Sequence, residues 1–195
     1  MAVIAVTERM AVIAVTGEIG SGKSTASRIL AGLLGCVRID ADQTAKALWE
    51  NDNVKARAVE RWGNEILDAS GRIVLAEAAK RIFSAKAEHD FCSALLHPLV
   101  MSELREKVKG LSAAVLEIPL LPEAGRPEWI DRVIYVAAKF ERRAERVKAR
   151  GWDAEELRRR ESFLLPERDR IAVCDMVIRN DGGTDELQRQ LEEAT

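Results

Sequence analysis

The sequence predicts an α/β fold, a parallel sheet of about five strands with helices on both faces. Two observations support this prediction. Short apolar runs rich in Val and Ile alternate along the chain with longer segments of helical spacing. The runs are also apolar throughout, as is typical of parallel strands that are buried on both faces.

Five runs are predicted as strands, and most of the chain between them as helix. The predicted strands are residues 11–16, 36–40, 113–118, 133–138 and 175–180. The predicted helices cover residues 23–34, the segment after residue 40 up to about Trp62, most of residues 72–109, and residues 140–150, 153–172 and 185–193. Strands that alternate with helices of this length favour βαβ units and therefore a parallel sheet.

Length and composition exclude several classes of protein. The chain has 195 residues, of which 47% are hydrophobic and 32% charged, so neither a disordered nor a collagen-like chain is expected. Its apolar runs are too short for a membrane helix, and we expect no membrane partner. A net charge of −2 predicts no bulk attraction to nucleic acid. Three cysteines without a CxxC pair predict neither disulfides nor a zinc site, and favour a cytoplasmic location.

The segment MAVIAVT occurs twice, at residues 1–7 and at residues 10–16. Two copies do not make a repeat protein, which needs at least about three units. The second copy leads directly into the glycine-rich segment described next, so we interpret it as the first strand. Residues 1–9 are then expected to be a redundant extension, and residues 10–195 a single domain.

Residues 17–25, GEIGSGKST, satisfy the pattern GxxxxGK[ST] directly after a predicted strand and at the start of a predicted helix. In such a phosphate-binding loop (P-loop), backbone N–H groups at the positive end of a helix surround phosphate oxygens. Lys23 would reach the β- and γ-phosphates, and the Ser24 hydroxyl would bind Mg²⁺. The sequence therefore predicts a P-loop NTPase-type sheet that binds ATP through Gly17, Ile19, Gly20, Ser21, Gly22, Lys23, Ser24 and Thr25.

The rest of the chain narrows the class of nucleotide-binding protein. No NKxD segment for reading guanine is present, and an ATPase motor would be larger, so a small-molecule kinase is the simplest class left. Such an enzyme needs a carboxylate near the acceptor hydroxyl and arginines near the transferred phosphoryl group. The arginine-rich segment at residues 139–170 suits either a lid over phosphates or a solvated pair of helices with ion pairs.

Asp40 and Asp42 follow the second predicted strand. In an open parallel sheet this places them at the carboxyl edge, beside the phosphate site. One carboxylate would then hold Mg²⁺ and the other would accept the proton of the acceptor. From position alone, a helix N-cap is an equally good interpretation of either aspartate.

From about Ala11 to Asn180 the chain resembles the dephospho-coenzyme A kinase family. The P-loop and the DAD sequence at residues 40–42 have the form and spacing of that family. The further matches, in order, are Trp62-Gly63 with Ile66-Leu67, Arg81-Ile82-Phe83, Leu95-Leu96-His97-Pro98, Pro119-Leu120-Leu121-Pro122-Glu123, Arg146 with Arg150, and residues 175–180. Their common order and spacing make the resemblance specific.

The resemblance implies transfer of the γ-phosphoryl group of ATP to the ribose 3′-hydroxyl of dephospho-CoA. It implies a helical acceptor region at about residues 55–110 and a lid at about residues 140–170. The implied roles are Asp42 as general base, Asp40 as a metal-side or substrate-positioning carboxylate, Lys23, Arg146 and Arg150 on the phosphates, Asn180 in nucleotide binding, and His97, Pro119 and Leu120 on the acceptor. Position alone leaves His97-Pro98 open, because a capped turn that begins a helix explains it equally well.

Several residues depart from the family pattern: Glu18 in the P-loop, Lys46, Val74 and Leu75 in place of an Asp-Arg pair, Glu117 where Asp is frequent, and Leu164 in place of Gln. An anionic side chain at Glu18 must point away from the phosphates or be paired. Two other hypotheses therefore stay open: a kinase for another nucleoside-like or small hydroxyl acceptor, and a nucleotide-binding protein with low turnover. We expect a small-molecule substrate and a monomer or weak homo-oligomer.

Overall fold

The computed structural model describes residues 11–194. Five parallel strands form one sheet in the order β2-β3-β1-β4-β5. This confirms the predicted fold class, and the first copy of MAVIAVT lies outside the described residues. The strands are β1 (Ala11–Gly17), β2 (Val37–Asp40), β3 (Ala113–Glu117), β4 (Arg132–Ala137) and β5 (Met176–Arg179).

Strand β1 lies at the centre of the sheet because it is apolar on both faces. It pairs with β3 on one side and with β4 on the other. Val12, Ala14 and Val15 are fully buried. On one face, Ile13 and Val15 pack into a core with Leu30 of the first helix. This central position brings the end of β1, where the P-loop begins, to the middle of the carboxyl edge of the sheet.

The helices follow the predicted order, with three interruptions inside predicted helical segments, one of which is at residues 83–85. Asn51 ends the first segment after β2 and begins a new helix, since its side chain accepts hydrogen bonds from the N–H groups of Asn53 and Val54. The segment at residues 153–172 breaks before Pro166, which disfavours helical geometry at the preceding residue. The helices are α1 (Lys23–Leu33), α2 (Ala41–Leu48), α3 (Asp52–Trp62), α4 (Leu75–Ile82), α5 (Lys86–Val108), α6 (Leu121–Ala124), α7 (Phe140–Val147), α8 (Ala154–Glu161), α9 (Glu167–Ala172) and α10 (Thr184–Ala194).

The chain divides into two compact units. The first contains the sheet and is made of the chain up to Ala41 and from Lys107 onward. The second, Asp42–Glu106, is helical and has its own core, in which Trp62 stacks edge-on against Phe91. Whether residues 10–195 form one domain, as the sequence predicts, stays a prediction.

Two features of the helices bear on the sequence predictions. His97 and Pro98 lie inside α5, so the alternative that they form a capped turn at the start of a helix is wrong. None of the helices within residues 11–194 is long and apolar enough to span a bilayer.

Candidate active site at the carboxyl edge of the sheet

The P-loop connects the end of β1 to the start of α1. Strand β1 ends at Gly17 and α1 begins at Lys23, as the motif requires. The Lys23 ammonium folds back over the loop and donates hydrogen bonds to the carbonyl oxygens of Gly17, at 3.1 Å, and of Glu18, at 2.8 Å. The lysine charge therefore lies directly over the loop that would enclose the phosphates.

Two glycines of the P-loop are fixed by both conformation and space. Gly20 and Gly22 have φ angles of 77° and 95°, which L side chains rarely adopt. A Cβ atom at Gly20 would lie 2.9 Å from the Arg143 carbonyl oxygen, and one at Gly22 would lie 2.3 Å from the Asn180 amide nitrogen. The loop is thus packed closely against two elements that follow β4 and β5.

Ser21 gives the loop an additional donor for a phosphate. Its hydroxyl is buried and has no hydrogen-bond partner among the described residues. A buried polar group without a partner is costly, and an anionic ligand would satisfy this one. The P-loop is therefore suited to the polyphosphate that its sequence predicts.

Glu18, the acidic residue within the P-loop, is buried and paired. Its side chain is buried, accepts a hydrogen bond from the Ala138 N–H at 2.9 Å, and lies 3.2 Å from the Arg143 guanidinium. Arg143 also pairs with Glu161 of α8. Burial raises the pKa of Glu18 above its ordinary value, and the Ala138 and Arg143 contacts counteract this only in part.

Two carboxylates flank the first turn of α1. Asp40 and Glu117 are register partners at the ends of β2 and β3. Because partners in register project to the same face, both side chains lie on the face of the sheet that α1 covers. Glu117 Oε1 accepts a hydrogen bond from the Ser24 hydroxyl at 2.6 Å, and its Oε2 accepts one from the Ser27 hydroxyl at 2.9 Å.

Arg38 joins the two carboxylates. Its Nη2 donates to Asp40 Oδ2 at 3.0 Å and to Glu117 Oε2, and its Nε donates to the Ser27 hydroxyl at 2.8 Å. Burial acts to raise the pKa of Glu117, but the hydrogen bonds from Ser24, Arg38 and Ser27 outweigh it and hold the pKa below its ordinary value. Glu117 is therefore a carboxylate at neutral pH.

The donors at this edge fit Mg²⁺. The Ser24 hydroxyl and the two nearby carboxylates are the hard oxygen ligands that this ion prefers. Within residues 11–194, no group of three or more His, Cys, Asp or Glu side chains forms a metal cage. One or two protein oxygens together with substrate phosphates are the usual way in which proteins hold Mg²⁺.

Arg146 and Asn180 pack against the P-loop. Arg146 Nη1 donates to the Ser21 carbonyl oxygen at 3.1 Å, and its Nη2 donates to the Asn180 carbonyl oxygen at 2.9 Å. The Asn180 side-chain amide also donates to the Ser21 carbonyl oxygen, at 2.7 Å. Arg150 is exposed, with its guanidinium 5.7 Å from the Trp152 ring centroid. The structure thus brings Arg146 and Asn180 to the loop, whereas Arg150 lies outward.

The predicted acceptor residues are divided between the two units. Pro119 and Leu120 follow β3 in the first unit, and the Pro119 carbonyl oxygen accepts a hydrogen bond from the Thr16 hydroxyl at 3.0 Å. Asp42 lies exposed in the first turn of α2, and His97 lies in α5, both in the second unit. That these two residues share a site with Lys23 stays a prediction.

Sequence reasoning missed three residues at this edge: Arg38, Ser27 and Arg143. Strand periodicity could have indicated Arg38, because it lies two residues before Asp40 and shares its face. Helix periodicity could likewise have placed Ser27 beside Ser24. We find no local signal for Arg143, since its partner Glu18 is 125 positions earlier in the chain.

The comparisons with known proteins agree with this geometry. The dephospho-CoA kinase family model matches residues 11–186. A dephospho-CoA kinase of Corynebacterium diphtheriae is 35% identical over 187 residues, which cover 92% of this chain and 93% of that protein. The corresponding protein of Methylococcus capsulatus is also 35% identical, with 94% of each chain covered.

Solved structures share this fold. The crystal structure of TT1252 from Thermus thermophilus superposes with a TM-score of 0.76 at 31% identity, covering 95% of this chain and 96% of that one. A shikimate kinase from Acinetobacter baumannii, at 16% identity, a TM-score of 0.57 and coverage of 96% and 92%, shares the fold alone. With a P-loop, flanking carboxylates and these relatives, the chain belongs to the dephospho-CoA kinase family and is a phosphotransferase.

Proposed function

We propose that this enzyme transfers the γ-phosphoryl group of Mg²⁺·ATP to the ribose 3′-hydroxyl of dephospho-CoA, the last step of coenzyme A synthesis. The observation that carries the proposal is the meeting of Lys23, Ser24 and Glu117 at the end of β1, within a chain that matches the family from residue 11 to residue 186. Phosphoryl transfer needs positioning and charge stabilisation more than covalent chemistry, and this edge of the sheet supplies both.

The P-loop would hold the β- and γ-phosphates. Lys23 would leave the carbonyl oxygens of Gly17 and Glu18, which it contacts within 3.1 Å, and donate to phosphate oxygens instead. The Ser21 hydroxyl would gain the partner that it lacks among the described residues. Both changes place positive partial charge where negative charge develops in the transition state.

Ser24 and Asp40 would hold Mg²⁺, with Glu117 accepting the Ser24 hydrogen bond behind them. A bound Mg²⁺ would supply positive charge against the negative charge of the phosphates. Asp42 would accept the proton of the 3′-hydroxyl as that oxygen attacks the γ-phosphorus. Its exposed position at the start of α2 leaves it accessible to an acceptor.

Arg146 would stay against the P-loop and contact the nucleotide, while Arg150 would reach the transferred phosphoryl group from the lid. Asn180 would form part of the wall of the nucleotide site, held there by its hydrogen bond to the Ser21 carbonyl oxygen. His97, Pro119 and Leu120 are proposed to contact the acceptor. Free cysteines at residues 36, 92 and 174 suit a reducing cytoplasm, and we propose a monomer or weak homo-oligomer there.

The departures at Val74, Leu75 and Leu164 favour one alternative, a kinase for another nucleoside-like acceptor. The test is ADP release from Mg²⁺·ATP with dephospho-CoA, adenosine, AMP or shikimate as acceptor. Turnover with dephospho-CoA alone is the expected result. Nucleotide binding without turnover on dephospho-CoA would contradict the proposed acceptor, and the Lys23→Met variant controls for contaminating kinases.

A further inference from the structure

Arg38 occupies a position to which the proposed chemistry assigns no role. It lies in the edge strand β2, two residues before Asp40, with its side chain about three-quarters buried at 26% exposure. All its hydrogen bonds within the described chain go to groups that surround the first turn of α1: Asp40, Glu117 and Ser27. An arginine buried to this extent normally needs such partners, and here both charged partners flank the proposed Mg²⁺ site.

The two carboxylate oxygens of Glu117 have different hydrogen-bond partners. Oε2 is occupied by Arg38 and by the Ser27 hydroxyl, at 2.9 Å from the latter. Oε1 faces the Ser24 hydroxyl at 2.6 Å. A glutamate side chain is flexible, and fixing one oxygen limits the orientations available to the other. Arg38 and Ser27 together therefore limit the orientation in which the Glu117 carboxylate meets Ser24.

Charge gives Arg38 a second effect on the same groups. Asp40 and Glu117 are register partners on adjacent strands, so their carboxylates would otherwise repel each other across the sheet edge. A guanidinium between them offsets that repulsion and forms charge-assisted hydrogen bonds with both. The pair is thereby held together beside Ser24.

We propose that Arg38 is a positioning residue for the metal site: it fixes Glu117 and Asp40 as one unit, so that Ser24 is correctly oriented for Mg²⁺. This inference rests on the proposed use of Mg²⁺·ATP. Arg38 should therefore strengthen nucleotide binding when Mg²⁺ is present and leave nucleotide binding without the metal unchanged. Outer hydrogen-bond partners of metal ligands commonly change metal affinity by roughly 10–100-fold.

The test is calorimetric titration of the full chain with ADP, once with Mg²⁺ and once with EDTA. The wild-type protein is expected to bind ADP more tightly with Mg²⁺; a lack of this difference would contradict the proposed Mg²⁺ site itself. In Arg38→Met, the factor by which Mg²⁺ strengthens ADP binding should fall roughly tenfold, while the affinity for ADP in EDTA stays unchanged. Arg38→Lys, which keeps the charge but not the fork of donors, should restore part of the gain.

Two further variants separate positioning from a general structural role. Arg132→Met is the control. It removes an arginine at the amino end of β4, which is the edge of the sheet opposite to the P-loop, and should leave the ADP affinities with Mg²⁺ and with EDTA unchanged. Adding Arg38→Met to Glu117→Gln should weaken the effect of Mg²⁺ on ADP binding by a smaller factor than Arg38→Met does in the wild type, because Arg38 acts in part through Glu117 and otherwise only through Asp40. Equal losses with Mg²⁺ and with EDTA in Arg38→Met, or a wild-type Mg²⁺ gain in that variant, would overturn the proposal.

Discussion

The carboxylate of Glu18 and the guanidinium of Arg143 form a buried ion pair directly behind the P-loop, with 3.2 Å between Oε1 and Nη2. Each side chain is only 7% exposed. Arg143 also donates to the Ala138 carbonyl oxygen and pairs with Glu161. The acidic residue inside the P-loop is thus neutralised by a buried arginine, and one guanidinium connects α7 and α8 to the loop.

Replacing Glu18 with Gln should destabilise the fold by about 2 kcal/mol, since the buried Arg143 loses one ion-pair partner while Glu161 remains. Urea denaturation followed by circular dichroism measures the effect. The control is Glu145→Gln, which removes an exposed partner of Lys148 and should cost less than about 0.5 kcal/mol. Equal unfolding midpoints for Glu18→Gln and the wild type would contradict this role of the pair.

Replacing Asp42 with Asn should lower kcat with dephospho-CoA by about 10²–10⁴-fold, the usual contribution of a general base. Binding of ATP should be unchanged, because Asp42 is not among the residues proposed to hold the nucleotide. A coupled assay of ADP formation measures turnover, and calorimetry measures binding. Glu50→Gln, at an exposed acid just after α2, should behave as the wild type. Full turnover in Asp42→Asn would exclude Asp42 as the base.

Replacing Arg146 with Met should raise KM for ATP by about tenfold, which corresponds to the loss of charged hydrogen bonds to the carbonyl oxygens of Ser21 and Asn180. Replacing Arg150 with Met should instead lower kcat with little change in KM for ATP, because the exposed Arg150 is proposed to contact only the transferred phosphoryl group. Steady-state kinetics on both variants measure the difference. Identical profiles would mean that the two arginines do not have separate roles.

The Asp175 carboxylate should stabilise the fold at neutral pH and lose this effect in acid. Burial acts to raise the pKa of its carboxyl, but hydrogen bonds from Arg126 and from the Val133 N–H hold the pKa below the ordinary value of 3.8. As the pH falls, Asp175 therefore takes up a proton in the unfolded chain before it does so in the folded protein. This stabilisation is present above about pH 4 and is lost as the pH falls through the lower, folded-state pKa. Asp175→Asn should be less stable than wild type at pH 7, and the difference should narrow toward pH 3 in urea titrations. A constant difference across that range would contradict the linkage.

Deleting residues 1–9 should leave the melting temperature and the ATP affinity unchanged. The described first strand begins at Ala11 and already has a partner strand on each side. Thermal denaturation and calorimetric titration of the shortened chain test this. A clear drop in melting temperature would show that the first MAVIAVT copy contributes to the fold.

The order of elements was predictable because it depends on local patterns. The apolar runs at β1, β3 and β4 are long and nearly uncharged, so strand and helix periods are easily distinguished there. The interruptions at Asn51 and before Pro166 were missed because a helical pattern of apolar residues continues across them. Local capping and proline geometry, rather than periodicity, decide those boundaries.

The sequence by itself determined the P-loop, the family and the carboxylates at the end of β2, because each is a short pattern whose chemistry is local. Only the tertiary structure decided that Glu18 faces Arg143 and that Arg38 joins Asp40 to Glu117. The physical reason is that strand order and register bring together charges that lie 125 and 79 positions apart in the chain, and no local periodicity contains that information.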